Sequence, residues 1–332
     1  MKPPEEWNAG MTPQQRFNLI MKRQALFEWG DTYVPSTLAT PKEAPKISRV
    51  SRLTSQKLGR DIHALSEPEK FFTLLALYQP ALIDLHEQKM LWQLGARHPL
   101  QGHPLMKGIF LSPPRGTVDI ARELGFKHYE IGVGMPDGRR ARLPFPYQGD
   151  LLLYLASESG IPYAVNWTVK NVKAAFEERR ASKAKTPVQQ RKDRDHAQLR
   201  ALLEKTYYAS AGIRTAKVSL DELPIAVLSN LELIFPFHQV ALKLDGALLC
   251  DFSDAVLEAF WKGMPLFHLV IGYADRWAKG ERDQFIARIY QDIWQRRLPV
   301  DFFKPILIDQ PMPTDGRDLL EVYEHLFTEK QP

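Results

Sequence analysis

The apolar positions of this chain change their spacing several times, and the changes mark out its elements. In "LSEPEKFFTLLALYQ" apolar residues recur at helical spacing behind Ser66, a side chain suited to capping a helix N-terminus. A strand-like run, "ALIDLHEQKML", follows. "TVDIARELGF" predicts a second helix and "HYEIGV" a strand, and Asp137-Gly138 in "MPDGRRARLPFPYQ" signals a turn. Two apolar runs, "DLLLYLA" and "YAVNWTVK", then read as neighbouring strands joined by "SESGIP". Further on, "HAQLRALLEKTYYASAG" predicts an amphipathic helix ended by Gly212, and "IRTAKVS" a short strand. "SLDELPIAVLSNLELIF" reads as a helix opened by a capping box of Ser219 and Glu222.

The two ends differ from this middle. Residues 1–48 are rich in proline and polar groups. Within them "TPQQRFNLIMKRQALFEW" predicts a helix with Phe17, Ile20 and Leu26 on one side, and the rest reads as an irregular arm that orders on a partner. After Pro236 come three helical runs, "DAVLEAFWKGM", "PLFHLVIGYADRWA" and "RDQFIARIYQDIWQRR", and then a strand-like "VDFFKPILID". Helices followed by a strand predict a winged-helix-type domain. The architecture is therefore an arm (1–48), an α/β domain (49–238) and a smaller, mostly helical domain (239–332).

Composition narrows the picture. The chain has 332 residues, 44% hydrophobic and 25% charged, which suits ordinary globular folding. Its single cysteine, Cys250, excludes an internal disulfide and a cysteine-based zinc site, and reads as a small buried apolar residue. The first residues lack the pattern of a secretory signal and "PLFHLVIGY" is too short to span a bilayer, so a cytoplasmic protein without a membrane partner is expected. A net charge of +5 permits a polyanionic partner. "EERRASKAKTPVQQRKDRD" concentrates Arg179, Arg180, Lys183, Lys185, Arg191, Lys192 and Arg194. It is either a solvated linker or frayed helix, or a set of phosphate contacts to DNA.

The candidate chemistry sits at the ends of apolar runs. Asp150 opens one strand and Lys170 closes the next, and period-two alternation puts Asn166, Thr168 and Lys170 on one face. Glu69 lies on a helix able to pack against the same sheet. Two carboxylates can hold Mg²⁺, and an ammonium beside them can orient a nucleophile and offset charge, as in phosphodiester-cutting nucleases of the PD-(D/E)xK type. Each residue also has a plainer reading: Glu69 completing a capping box with Ser66, Asp150 accepting backbone hydrogen bonds at a loop end, Lys170 reaching into water. His98 and His103 read as surface residues. Gly132 and Gly134 precede a turn and no helix, so they are not a phosphate cradle.

Beyond these residues, a long stretch resembles a known family. "GRDIHALSEPEKFFTLLALYQPALIDLHEQKML" is similar to the opening of the nuclease domain of TnsA, the endonuclease subunit of heteromeric cut-and-paste transposases, with Ser66, Glu67, Glu69, Asp84, Glu87 and Gln88 in the matching places. "DIARELGFKHYEI" resembles the segment ahead of that family's catalytic aspartate, which falls on Asp150, and the lysine strand falls on Lys170. The closing helix, strand and helix match through Tyr207, Tyr208, Gly212, Ile213, Asn230 and Glu232, so that the likeness spans roughly residues 50–238. Thr168 stands where the family commonly has glutamine, and Gly149 where a proline usually precedes the aspartate. The resemblance implies a restriction-endonuclease-like mixed sheet flanked by helices and a Mg²⁺-dependent DNA endonuclease, with Mn²⁺ able to substitute. Such an enzyme cleaves the 5′ strands at transposon ends. It implies Glu69, Asp150 and Lys170 as catalytic residues, with Glu69, Asp150 and Thr168 at the metal. The implied partners are double-stranded DNA, a DDE transposase subunit resembling TnsB and an AAA+ regulator resembling TnsC, with the C-terminal domain as their docking surface. A non-catalytic scaffold subunit and a restriction or defence nuclease of the same fold stay open beside it.

Overall fold

The computed structural model describes residues 10–26, 28–45, 48–134, 139–177 and 186–329. It is a mixed α/β protein whose chain divides into two units. The first gathers Met1–Ala76, Pro80–Glu222 and Leu326–Pro332 as far as these are described, and the second Leu77–Gln79 with Leu223–His325. The segment 223–238, grouped with the α/β domain by its sequence, clusters with the second unit.

The first unit is built on a four-stranded sheet of order β10-β9-β8-β3. β3 (Leu82–Glu87), β8 (Leu151–Ala156) and β9 (Pro162–Lys170) run antiparallel to their neighbours, and β10 (Arg214–Ser219) is parallel to β9. A parallel pair needs a long crossover. Here it contains α4 (Pro187–Ser210). β8 is buried on both faces apart from its last residue, which is why its sequence is a continuous apolar run without alternation. On one face Leu152, Tyr154 and Ala164 meet Leu203, Tyr207 and Tyr208 of α4 and Ile120 of α3 (Thr117–Glu123). On the other, the Trp167 ring packs edge-on against Phe72 of α2 (Glu67–Tyr78) and against Phe327, and its indole N–H donates to the Leu326 carbonyl at 2.9 Å.

Smaller pairs surround this sheet. They are β1 (Ser51–Ser55) with β2 (Arg60–Ala64), β4 (Met90–Leu91) with β7 (Tyr147–Gln148), and β5 (Glu130–Gly134) with β6 (Arg140–Pro144). The turn expected at Asp137-Gly138 lies outside the described residues. The described part of the N-terminal arm is folded into this unit instead of waiting for a partner. Helix α1 (Pro13–Gln24) buries Ile20, Arg23 pairs with Glu43 at 2.6 Å, and Tyr33 stacks on His86 at 3.8 Å while donating to the Glu87 carbonyl. Leu26, expected on the apolar side of that helix, lies past its end and is 65% exposed.

The second unit is helical: α5 (Ile225–Ile234), α6 (Gly246–Trp261), α7 (Phe267–Trp277) and α8 (Arg282–Trp294) enclose Phe252, Val256, Val270, Phe285 and Ile289. The strand expected in "VDFFKPILID" does not form, so residues 223–325 contain no strand and no wing. Its backbone is met by a side chain instead. The Asn230 amide donates to the carbonyls of Phe302 and Lys304, and its oxygen accepts from Ile306 N–H. The Ser219–Glu222 box is likewise half formed. Glu222 accepts from Ser219 N–H, but the turn it closes is 3-10, and α5 starts only after Pro224. Cys250 is exposed, not buried, because Leu249, Phe252 and Val256 form the inner face of α6.

Glu87 ends β3 with no exposed surface. It takes a bidentate pair from Arg60 at 2.9 and 2.8 Å and a hydrogen bond from His63 N–H at 3.0 Å. Removing one partner of such a pair strands the other charge in the interior. Glu87→Ala is expected to cost about 3–5 kcal/mol in urea unfolding followed by tryptophan fluorescence. A loss under about 1 kcal/mol would show that the pair is not holding β2 to β3.

Candidate active site

The three residues singled out from the sequence meet at one end of the four-stranded sheet. Asp150 stands at the start of β8 and Lys170 at the end of its antiparallel neighbour β9, with the Lys170 Nζ 3.9 Å from Asp150 Oδ2. Their side chains are 29% and 40% exposed, so the pair is recessed but reachable. Asp150 Oδ2 also accepts from Val169 N–H at 2.7 Å. The plain reading of Asp150 as a backbone acceptor is thus true of one oxygen, and compatible with a second task for the carboxylate.

Glu69 shows the same double use. Its N–H donates to Ser66 Oγ at 3.4 Å, and its carboxylate accepts from Ser66 Oγ–H at 2.8 Å and from Leu65 N–H at 2.9 Å. These bonds fix the first turn of α2. They also aim the carboxylate toward Asp150, whose charge it feels. Gln88 completes the arrangement. Its φ of 44° is in the left-handed region that few non-glycine residues enter, and it turns the chain between β3 and β4. From there Gln88 N–H donates to the Asp150 carbonyl at 2.9 Å and Gln88 Nε2 donates to Glu69 Oε2 at 2.8 Å. One residue thereby ties both acids together.

Thr168 points elsewhere than expected. Its hydroxyl donates to Glu204 Oε1 at 2.8 Å, as does Asn166 Nδ2 at 3.1 Å, while Arg200 holds the other Glu204 oxygen at 3.2 Å. Arg200 further donates to the Gln148 carbonyl at 3.1 Å and lies over the Tyr147 ring, bracing the segment that leads into Asp150. Glu204 and Arg200 were not singled out from the sequence. Their signal was present: Arg200, Glu204, Tyr208 and Ala211 share one helical stripe, and two charges inside an otherwise apolar stripe call for a partner. Gly149 is required here for packing, since a Cβ would come within 3.0 Å of Tyr208 Oη and 3.3 Å of Asn166 Oδ1.

The electrostatics follow from this crowding. Burial, and then the charge of Asp150, push the Glu69 carboxyl up to about 7. Burial also raises the Asp150 carboxyl; Lys170 acts against this and Glu204 adds to it. The end of the sheet is therefore short of positive charge despite its lysine. Hard oxygen donors that repel one another fit a hard divalent cation such as Mg²⁺, which would neutralise both. Glu69 and Asp150 would be the two donors, and Thr168, turned to Glu204, is not placed with them. Among the described residues no set of three or more histidine, cysteine or acidic side chains forms a ready-made cation cage.

The remaining candidates fall into two groups. Arg191, Lys192 and Arg194 are exposed on the first turns of α4, which starts at Pro187 behind a Thr186–Gln189 capping box and not as a linker. Arg179, Arg180, Lys183 and Lys185 lie outside the described residues. His98 and His103 are buried, not surface, residues. His98 Nε2 bonds the Ala211 carbonyl at 2.9 Å, and each Nδ1 accepts a backbone N–H two residues on, so both hold loops.

The Glu69 shift has a measurable sign. A carboxyl that titrates near 7 when folded and at its ordinary 4.5 when unfolded holds a proton in the folded state alone across that interval. Stability therefore falls as pH rises from about 4.5 to 7, provided divalent cations are chelated. Glu69→Gln should flatten that slope in urea unfolding, and an unchanged slope would contradict the placement of Glu69 beside Asp150. No protein-family model matches this chain, and no curated protein matches it.

Proposed function

We propose that this protein is a Mg²⁺-dependent DNA endonuclease of the TnsA type, with a restriction-endonuclease-like first unit, which cleaves the 5′ strands at transposon ends. The observation that carries the reading is the convergence of Glu69, Asp150 and Lys170, from a helix and two strands, at one end of a mixed sheet. The sequence resemblance supports it from the other side, since the same three residues fall in the places of that family's catalytic set.

In this reading Glu69 and Asp150 hold the cation, and Mn²⁺ can replace it through the same oxygens. When bound, the ion lowers the pKa of a water and offsets charge at phosphorus. Lys170 orients the attacking water and stabilises the charge that develops on the phosphate oxygens. Gln88 keeps the two carboxylates in register, so that repulsion between them is relieved by the ion and not by their moving apart. Arg200 holds the segment that leads into Asp150, and Glu204 holds β9, which ends in Lys170. Arg191, Lys192 and Arg194 supply a basic approach for the duplex. The second unit would then serve a DDE transposase subunit resembling TnsB and an AAA+ regulator resembling TnsC, since excision requires both strands to be cut. No helix among the described residues is long and apolar enough to cross a membrane.

The direct test is nicking of end-containing DNA with Mg²⁺ and the partner transposase. Asp150→Ala is expected to lower the rate by about 10²-fold or more. Equal cutting by wild type and variant would remove Asp150 from the mechanism. No cutting by either would favour a scaffold subunit.

A further inference from the structure

The β5–β6 hairpin has two unlike faces. Ile131 and Val133, with Leu143, turn inward onto Phe17, Ile20 and Met21 of α1. Alternation sends Glu130, Gly132 and Gly134 outward from β5, and Arg140 and Arg142 outward from β6, and all five are exposed. The register pairs Gly134 with Arg140 and Gly132 with Arg142. Each arginine thus stands directly across from a residue with no side chain.

Nothing among the described residues asks for glycine at these two positions. Neither has a positive φ, and a Cβ added at either would meet no atom within 4 Å. Glycine inside a strand is destabilising relative to alanine, so its use here calls for a reason that the described residues do not supply. A strand glycine that is neither bent nor crowded marks a place where another molecule comes close to the backbone. The arginines say what kind of molecule. The side chains of Arg140 and Arg142 make no ion pair or hydrogen bond among the described residues, and Glu130 opposite Pro144 is the acidic group at the far end of the face. The β6 strand continues through Phe145 and β7 into Asp150.

We infer that the Gly132–Gly134–Arg140–Arg142 face is a contact for the sugar–phosphate backbone of duplex DNA. The bare glycine stripe of β5 lets the backbone lie against the ribbon while the two guanidiniums beside it on β6 reach successive phosphates. A two-stranded ribbon is narrow enough to follow a DNA groove. With both guanidiniums assigned to phosphates, the contact positions the duplex and carries no sequence information of its own. The choice of DNA as the polyanion rests on the endonuclease reading above.

The test is fluorescence anisotropy of the full-length protein with a labelled random-sequence duplex over a range of salt concentrations. Arg140→Ala/Arg142→Ala is expected to weaken binding roughly tenfold and to reduce the salt slope by about 1 for each arginine removed. Gly132→Val supplies the second arm. Valine fits the strand and the open space, so its melting temperature should equal or exceed that of wild type while affinity falls several-fold. Unchanged affinity and slope in both variants, with wild type binding duplex, would overturn the hairpin contact. Preference for single-stranded RNA over duplex DNA would overturn the choice of ligand. Mg²⁺-dependent nicking by wild type separates the two claims: nicking with unaffected hairpin variants sinks this inference alone, whereas a wild type that neither binds nor nicks sinks both.

Discussion

Two carboxylates held close enough to repel each other are the constraint on which the rest of the first unit depends. Folded proteins avoid such pairs unless something over-determines their positions, and here several elements do so. The Ser66 cap fixes Glu69 from below, the Val169 N–H fixes Asp150 from the side, and Gln88 reaches both. Gln88 does this from a left-handed backbone conformation, held because the chain on both sides is paired into β3 and β4. Burial first, and then the Asp150 charge, raise the Glu69 pKa. Lys170 relieves only part of it, which leaves a site with room for more positive charge.

Behind this pair stands a network that a list of acids and bases would not reveal. Glu204 accepts from Thr168, Asn166 and Arg200, and Arg200 reaches on to the Gln148 carbonyl, one turn of chain before Asp150. Helix α4 is thus tied by buried polar bonds to the strand that presents the catalytic candidate. The exposed basic residues lie on the same helix, farther toward its N-terminus. A single helix carries exposed basic residues toward its N-terminus and braces the acidic site farther along.

Much of this arrangement was legible in the sequence where side-chain period and burial agree. In "YAVNWTVK" apolar and polar side chains alternate toward the strand's end, and β9 places Trp167 and Thr168 on opposite faces. The cap at Ser66 was legible from its spacing to Glu69. Legibility failed where a side chain replaced a regular element or where tertiary packing overrode local character. Asn230 satisfies the backbone of "VDFFKPILID", so a β-prone run remains a series of turns. The arm outside its helix looked irregular without a partner, but Tyr33 and Gly30 bond to Glu87 and Asp84, partners more than fifty residues away that no local pattern shows. His98 and His103 looked exposed because loops usually are, whereas here the loop is packed down and the imidazoles cap it. Glu204 was missed because a glutamate in a helix is ordinary until its stripe is seen to be buried.

The measurement that bears most directly on the site is anomalous diffraction from crystals soaked in Mn²⁺, collected at a pH above the Glu69 titration. One strong peak lying between the Glu69 and Asp150 carboxylates, and absent from an Asp150→Asn crystal, is the predicted result. A peak elsewhere, or none at saturating Mn²⁺ with both side chains ordered, would contradict the account.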